Sequence, residues 1–479
     1  MLAGLGFPAP SSRNIMFHNN SESQGLNPAL RNRHIQFLAL GGTIGTGLFL
    51  GSAGVLESAG PSMLLGYVVA GLIVFLIMRF LGEMLVENPV SHSFSYFADR
   101  YWGSFAGFFA GWNSIALYVL AGMLEISAVG RFVQFWWPWM PTWISAATCL
   151  LAVSGLNLIS VRLFGEAEFW FALLKVCAVL AMIGFGAYLV VARYGEPQIG
   201  VSNLWRHGGL FPTGLRGLLM SMALIVFAYG GIEVMGYAAA ETDDPRRVIP
   251  RAINRIVYRV LIFYVGSSLV LLVLFPWNRL VEVMEHGRGT YGASPFTLIF
   301  SVLGDRFAAN ALNLVIMIAA LSVYNGLTFA ASRMLFGMAR QGSAPRFLGQ
   351  ADRRGVPVRA IGCTAAMTAL CVLLNYLMPR QVIEILLSLV TSALVLIWAT
   401  IVATHLKFRA RMRAGGRVSA FPALFAPWSN YLCLAFLGMV VVVLWIAPDT
   451  RHSVYAIPLW IIMVYAAWRL RPAARLRSA

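Results

Sequence analysis

The chain has 479 residues, of which 59% are apolar and only 11% are charged. A water-solvated domain carries about 25% charged residues, so this composition excludes an ordinary soluble protein. The net charge of +17 does not point to nucleic acid either. The basic residues sit at the ends of apolar runs and form no patch with interleaved aromatics.

Residues 1–33 are polar, rich in Gly, Pro, Ser and Asn, and lack the apolar centre of a signal peptide. They are expected to form a disordered cytoplasmic tail, with the first helix acting as its own insertion signal. Apolar runs long enough to span a bilayer follow at 36–57, 62–85, 104–130, 142–161, 168–192 and 214–240. Six more lie at 256–275, 308–338, 358–378, 381–405, 428–447 and 453–470. At about 20 residues per crossing, they predict an all-α polytopic membrane protein with twelve transmembrane helices. The Arg residues fall mainly in the two tails and the even-to-odd connections, which places both termini in the cytoplasm. Trp136, Trp137, Trp139 and Trp143 then form an aromatic belt at the outer face.

Two spans are interrupted. The first contains Gly41-Gly42-Thr43-Ile44-Gly45-Thr46-Gly47, and the sixth contains Phe227-Ala228-Tyr229-Gly230-Gly231-Ile232-Glu233. They hold matching places in two five-helix halves, the sequence sign of an inverted-repeat transporter with its site at the breaks. Each glycine weakens a helix by about 1 kcal/mol against Ala. Unwound backbone at membrane depth is tolerated only where it lines a protein cavity. The freed amides opening the half-helix after the first break suit a carboxylate. Carbonyls at Tyr229–Gly230 suit an ammonium group. Together they would read the two groups common to all amino acids. Gly103, Gly107 and Gly111, at four-residue spacing, are expected only to allow close helix packing.

Lysine occurs only as Lys175 and Lys407. Lys175 lies mid-span in EFWFALLKVCAVLAMIGF, where a charge costs from about 2.5 kcal/mol upward and needs a partner, a cavity or the loss of its proton. It is therefore a proton-coupling residue by expectation. Glu125 raises the same question, although its place near the outer end of the third span also suits an interfacial carboxylate. Glu233 follows the second break and is expected to latch it by accepting backbone N–H bonds. Glu83 and Glu241 lie at cytoplasmic span ends and suit structural or gating roles. Polar side chains in apolar spans mark an expected specificity wall: Asn113, Ser114 and Tyr118 in the third, and Ser322, Tyr324, Asn325, Thr328 and Ser332 in the eighth. Ser and Thr in membrane helices also commonly bond their own backbone. Phe227 fits either an aromatic lid over the site or a lipid-facing ring.

The five cysteines lie in apolar stretches and the seven His are scattered, so no metal site, disulfide or cofactor is expected. No Ser/His/Asp set or pair of catalytic carboxylates appears at membrane depth, so the chain does not read as an enzyme.

Several long stretches carry a resemblance: NRHIQFLALGGTIGTGLFLGSA, IMRFLGEM, EFWFALLKV, FAYGGIE, AAETDDP, IPRAINR and SRMLFGMARQGSAP. In this order they resemble the amino acid permeases of the amino acid–polyamine–organocation superfamily, from about Arg31 to Leu470. VSNLW, YGASPFTLIF and LSVYN lean towards the aromatic amino acid permeases. The resemblance implies a transport core over 34–405 with a five-plus-five inverted repeat, two added helices over 406–470, and a cytoplasmic tail at 471–479. It implies that amides of Gly45, Thr46 and Gly47 hold the substrate carboxylate. Carbonyls of Thr43 and of Ala228, Tyr229 and Gly230 would hold its ammonium, Phe227 would be the gate, and Lys175 would take the place of a coupling sodium ion. The chain departs from the aromatic permeases at Ser114-Ile115, at NGLTFAASR and at GYAAAE, all in or near the expected specificity wall.

The expectation is thus proton-driven import of a free neutral amino acid, aromatic by resemblance, across a bacterial inner membrane, with the proton as coupling ion. Alternatives from the same motifs are a permease for proline, threonine or 4-aminobutyrate, an amino acid exchanger, or a non-transporting membrane sensor. The expected partners are the amino acid and the lipid bilayer, not nucleic acid.

Overall fold

The computed structural model describes residues 44–89, 93–159, 161–192, 199–234, 245–286, 294–302, 306–379 and 381–471. Every regular element among them is helical. Thr43, Glu241 and both tails lie outside the described residues. In chain order, α1 (Thr46–Phe49) and α2 (Gly51–Ala59) lead through a 3-10 turn at Gly60–Ser62 into α3 (Met63–Glu87). Then come α4 (Ser93–Tyr101), α5 (Ser104–Gln134), α6 (Thr142–Ile159), α7 (Val161–Ala192), α8 (Asn203–Arg206) and α9 (Gly214–Ala228). After a 3-10 turn at Ile232–Val234 follow α10 (Pro245–Arg259), a π-helical stretch at Val260–Gly266, α11 (Ser267–Leu274), α12 (Trp277–His286) and α13 (Pro295–Val302). The chain continues through α14 (Arg306–Arg340), α15 (Val358–Leu377), α16 (Val382–Ala414), α17 (Trp428–Ile446) and α18 (Arg451–Leu470).

Eleven described stretches are long and apolar enough to cross a membrane. The first, Thr46–Glu87, has 42 residues, about twice what one crossing needs, and it breaks at Gly60–Ser62. Gly60 takes φ +57°, and a Cβ there would lie 2.6 Å from Pro212 Cγ. The chain changes direction where only glycine fits.

Which helices sit inside follows from their neighbours. In α5 78% of the apolar window is buried and in α16 72%, against 11% in α18. α5 packs on α14 and α16, and Gly111 lets Met338 of α14 approach to where a Cβ would stand 2.9 Å away. Outer helices turn apolar side chains outward, among them Leu151, Val191 and Leu459. Lipid solvates such a surface, while every backbone bond is closed within its helix. The short helices α4, α12 and α13 were not expected from the sequence. At 9, 10 and 8 residues they are too short to give a spanning run.

Candidate functional site

The described parts of the two glycine-rich segments meet. The described chain enters as a bend at Ile44–Gly45, and the first helical turn begins at Thr46, with Leu48 N–H donating to Gly45 O at 3.2 Å. On the other side α9 stops at Ala228. Gly230 N–H turns back to Phe227 O at 2.9 Å, and Gly231 takes φ +90°. A Cβ on Gly47 would lie 2.6 Å from Ala228 Cα, so the backbones touch where the first helix begins and α9 ends. The amide-rich start and the carbonyl-rich end of two helices are therefore apposed, donors facing one way and acceptors the other.

A carboxylate already reaches the amide side. Glu125, on α5, is 5% exposed and accepts from Thr46 Oγ1 at 2.9 Å. Its Oε1 would stand 3.0 Å from a Cβ on Gly45. The interfacial position considered for Glu125 is thus not where it lies; it is inside the bundle, at the break. Its Oε2 is buried with no partner among the described residues.

The carbonyl side is backed by three tyrosines. Tyr264 Oη donates to Ala228 O at 2.6 Å, and Tyr229 Oη donates to Tyr67 O at 2.8 Å. The Tyr229 and Tyr264 rings are 4.6 Å apart between centroids. One lone pair of Ala228 O is therefore used by the protein itself. Tyr264 lies in the π-helical stretch, whose extra residue re-aims side chains at that level, and no sequence signal singled it out. Glu233 accepts from Gly231 N–H at 3.3 and 3.2 Å and from Trp398 Nε1 of α16 at 3.4 Å. Phe227 is buried beside Gly51, 3.8 Å from a Cβ there, so it is not a lipid-facing ring.

Lys175 is fully buried. Its Nζ donates to Ser322 Oγ at 2.9 Å, and Ser322 Oγ donates to Glu168 Oε1 at 2.8 Å. Asn325 Nδ2 reaches Glu168 Oε2 at 3.5 Å, and Asn157 Nδ2 donates to Asn325 Oδ1 at 2.9 Å. Lys175, Ser322 and Asn325 stand out in the sequence as polar groups within apolar spans; Glu168 and Asn157 do not. The available signal for Glu168 was its place two helical turns before Lys175 on the same face.

The expected specificity wall divides by face. Ser322 and Asn325 point to α7, whereas Val323 of the same helix lies against Gly45 and Tyr324 packs its ring against Gly122 of α5. Asn113 bonds away from the breaks: it donates to Ala393 O of α16 at 2.9 Å and accepts from Trp460 Nε1 of α18 at 3.0 Å. Ser114, Thr328 and Ser332 donate to carbonyls of their own helices, at Ala110, Tyr324 and Phe329. Tyr118 is buried on α5. At the far end of α3, Glu83 is fully buried and accepts from His405 Nε2 at 2.9 Å, Arg409 at 2.8 Å and Ala423 N–H at 2.8 Å.

Comparison with known proteins gives the context. Residues 34–475 match the family model described as amino acid permease. The chain is 53% identical to the aromatic amino acid transport protein AroP of Shigella flexneri, over 94% of this chain and 96% of that one. The same identity and coverage hold for AroP of Escherichia coli K12. An uncharacterized transporter of Bacillus subtilis, YdgF, is 40% identical over 96% of this chain and 98% of its own length.

Proposed function

The chain belongs to the amino acid permease family, and we propose that it imports a neutral aromatic amino acid by proton symport across a bacterial inner membrane. It is a multi-pass membrane transporter and not an enzyme. The observation that carries the substrate class is the 53% identity to the AroP proteins along nearly the whole of both chains. The proposed architecture has twelve crossings, the 42-residue first stretch supplying two. The first ten crossings, 34–405, are an inverted repeat, 406–470 add two helices, and both tails are cytoplasmic.

The apposed breaks support the mode of binding. Amides of Gly45, Thr46 and Gly47 hold the carboxylate. Carbonyls of Tyr229 and Gly230, the free lone pair of Ala228 and the carbonyl of Thr43 hold the ammonium. Backbone groups thereby read what all amino acids share, and the side chain is read elsewhere. Phe227 closes over the substrate, and Glu233 keeps the α9 end in shape.

Coupling follows from Glu125. A substrate carboxylate approaching the Thr46 amide meets a second carboxylate 2.9 Å from the Thr46 hydroxyl, and two like charges in one buried site disfavour each other. A proton on Glu125 removes the repulsion, so proton and substrate occupy the site together. Lys175 completes the coupling group: Glu125 is among the charges that act on it.

The test is uptake of radiolabelled phenylalanine into proteoliposomes of the pure protein, with an inward pH gradient and no sodium. Accumulation that collapses with a protonophore is the expected result. Folded protein without uptake overturns the aromatic assignment and calls for the same assay with proline, threonine and 4-aminobutyrate. Accumulation that ignores the pH gradient but needs substrate inside the vesicle identifies an exchanger.

A further inference from the structure

We propose that Glu168 is a positioning residue for the Lys175 proton site and acts on it through the hydroxyl of Ser322. This rests on the reading of Lys175 as a coupling group and adds the counter-charge that sets when its amine is loaded.

With the amine protonated and the carboxylate ionised, the direction of the chain of bonds is set. A serine hydroxyl has one proton to give and lone pairs to receive. Ser322 gives its proton to Glu168 Oε1 at 2.8 Å and receives an N–H of Lys175 at 2.9 Å. A positive amine and a negative carboxylate are the charge states that make both bonds strongest. Lys175 and Ser322 are fully buried and Glu168 is 2% exposed, so water screens neither charge. The second oxygen of Glu168 is met at 3.5 Å by Asn325, which Asn157 holds in turn at 2.9 Å. Three helices, α6, α7 and α14, thus fix one carboxylate for one amine. The other charges that act on Lys175 are Glu125 from α5 and Arg259 from α10. Glu125 lies at the helix break, whereas Glu168 lies on Lys175's own helix and is bridged to it.

A buried ammonium without its counter-charge is strongly disfavoured. Removing the charge of Glu168 therefore makes loading of Lys175 require a higher proton concentration. Ser322 transmits the effect because it orients both partners, and losing it weakens the coupling while leaving the carboxylate in place.

Glu168→Gln keeps the shape of the side chain and removes the charge. Phenylalanine uptake by proteoliposomes is measured over a pH series, with folding followed separately by thermal unfolding. The pH of half-maximal uptake is expected to move about one unit or more to the acid side in Glu168→Gln. It should move the same way by less in Ser322→Ala and return in Ser322→Thr, which restores the hydroxyl. A purely structural role would lower the melting temperature and leave the pH profile where it was, and that result overturns the inference. If Glu168→Gln transports at no pH, the Ser322 pair decides: a wild-type profile in Ser322→Ala overturns it. Lys175→Ala separates the two readings. Full accumulation by Lys175→Ala sinks the coupling role itself, whereas lost accumulation beside an unshifted Glu168→Gln profile sinks only the role of Glu168.

Discussion

Lys175 and Glu125 are each buried in the bundle, and each has a bond that only another helix provides: Ser322 for the amine and Thr46 for the carboxylate. Lys175→Ala removes the only lysine within a spanning stretch apart from Lys407, which lies near the end of its own. Gradient-driven accumulation of phenylalanine by that variant is expected to fall to the level of protein-free vesicles. Asn113 teaches a different lesson. It is polar, buried and mid-helix, yet both ends of its amide are taken by α16 and α18. A polar residue within a span marks a bond, and the structure alone says whether the partner is substrate or protein.

At the scale of elements, the proposed site is built from two helix ends that touch. Gly47→Ala places a methyl group 2.6 Å from Ala228 Cα, and backbone cannot step aside as a flexible side chain can. Overpacking of this kind costs about 1–3 kcal/mol, and here the strain falls on the backbone proposed to bind substrate. The variant is expected to insert normally and lose phenylalanine binding, measured by ligand-induced thermal stabilisation; wild-type stabilisation by ligand would contradict the backbone role. A second element-level joint is Glu83, which ties α3 to α16 and to the connection before α17. Glu83→Ala leaves Arg409, His405 and the Ala423 N–H without their acceptor. Breaking a buried pair from one side costs about 3–5 kcal/mol, so the detergent-solubilised variant should melt well below wild type. A melting temperature within error of wild type would show that the joint contributes little.

For the whole molecule, α5, α16 and the α9 stretch bury most of their apolar windows, at 78%, 72% and 67%, while outer helices such as α18, at 11%, leave theirs exposed. Orientation is checked with single cysteines on a background whose five native cysteines are replaced by Ser. A cysteine at Trp139 should react with an impermeant thiol reagent in intact cells, and one at Asp352 only after permeabilisation. The reverse pattern would invert the topology.

Whatever depends on neighbours along the chain could be read from the amino-acid order. Apolar length located the spanning stretches, because the bilayer tests each run separately. Glycine density marked the end of α9, because helix weakness is local; the residues before Ile44, where the first interruption is expected, lie outside the described ones. The short helices α4, α12 and α13 escaped, since they need no apolar run of spanning length. Pairing between helices emerges from the folded bundle. Ser322 is 147 residues from Lys175 and 154 from Glu168, and His405 is 322 residues from Glu83. Nothing local specifies the rotation of α14 about its axis that turns Ser322 to α7, Val323 to Gly45 and Tyr324 to α5. That rotation is set by packing against several helices at once, a property of the assembled bundle that no single stretch of sequence contains.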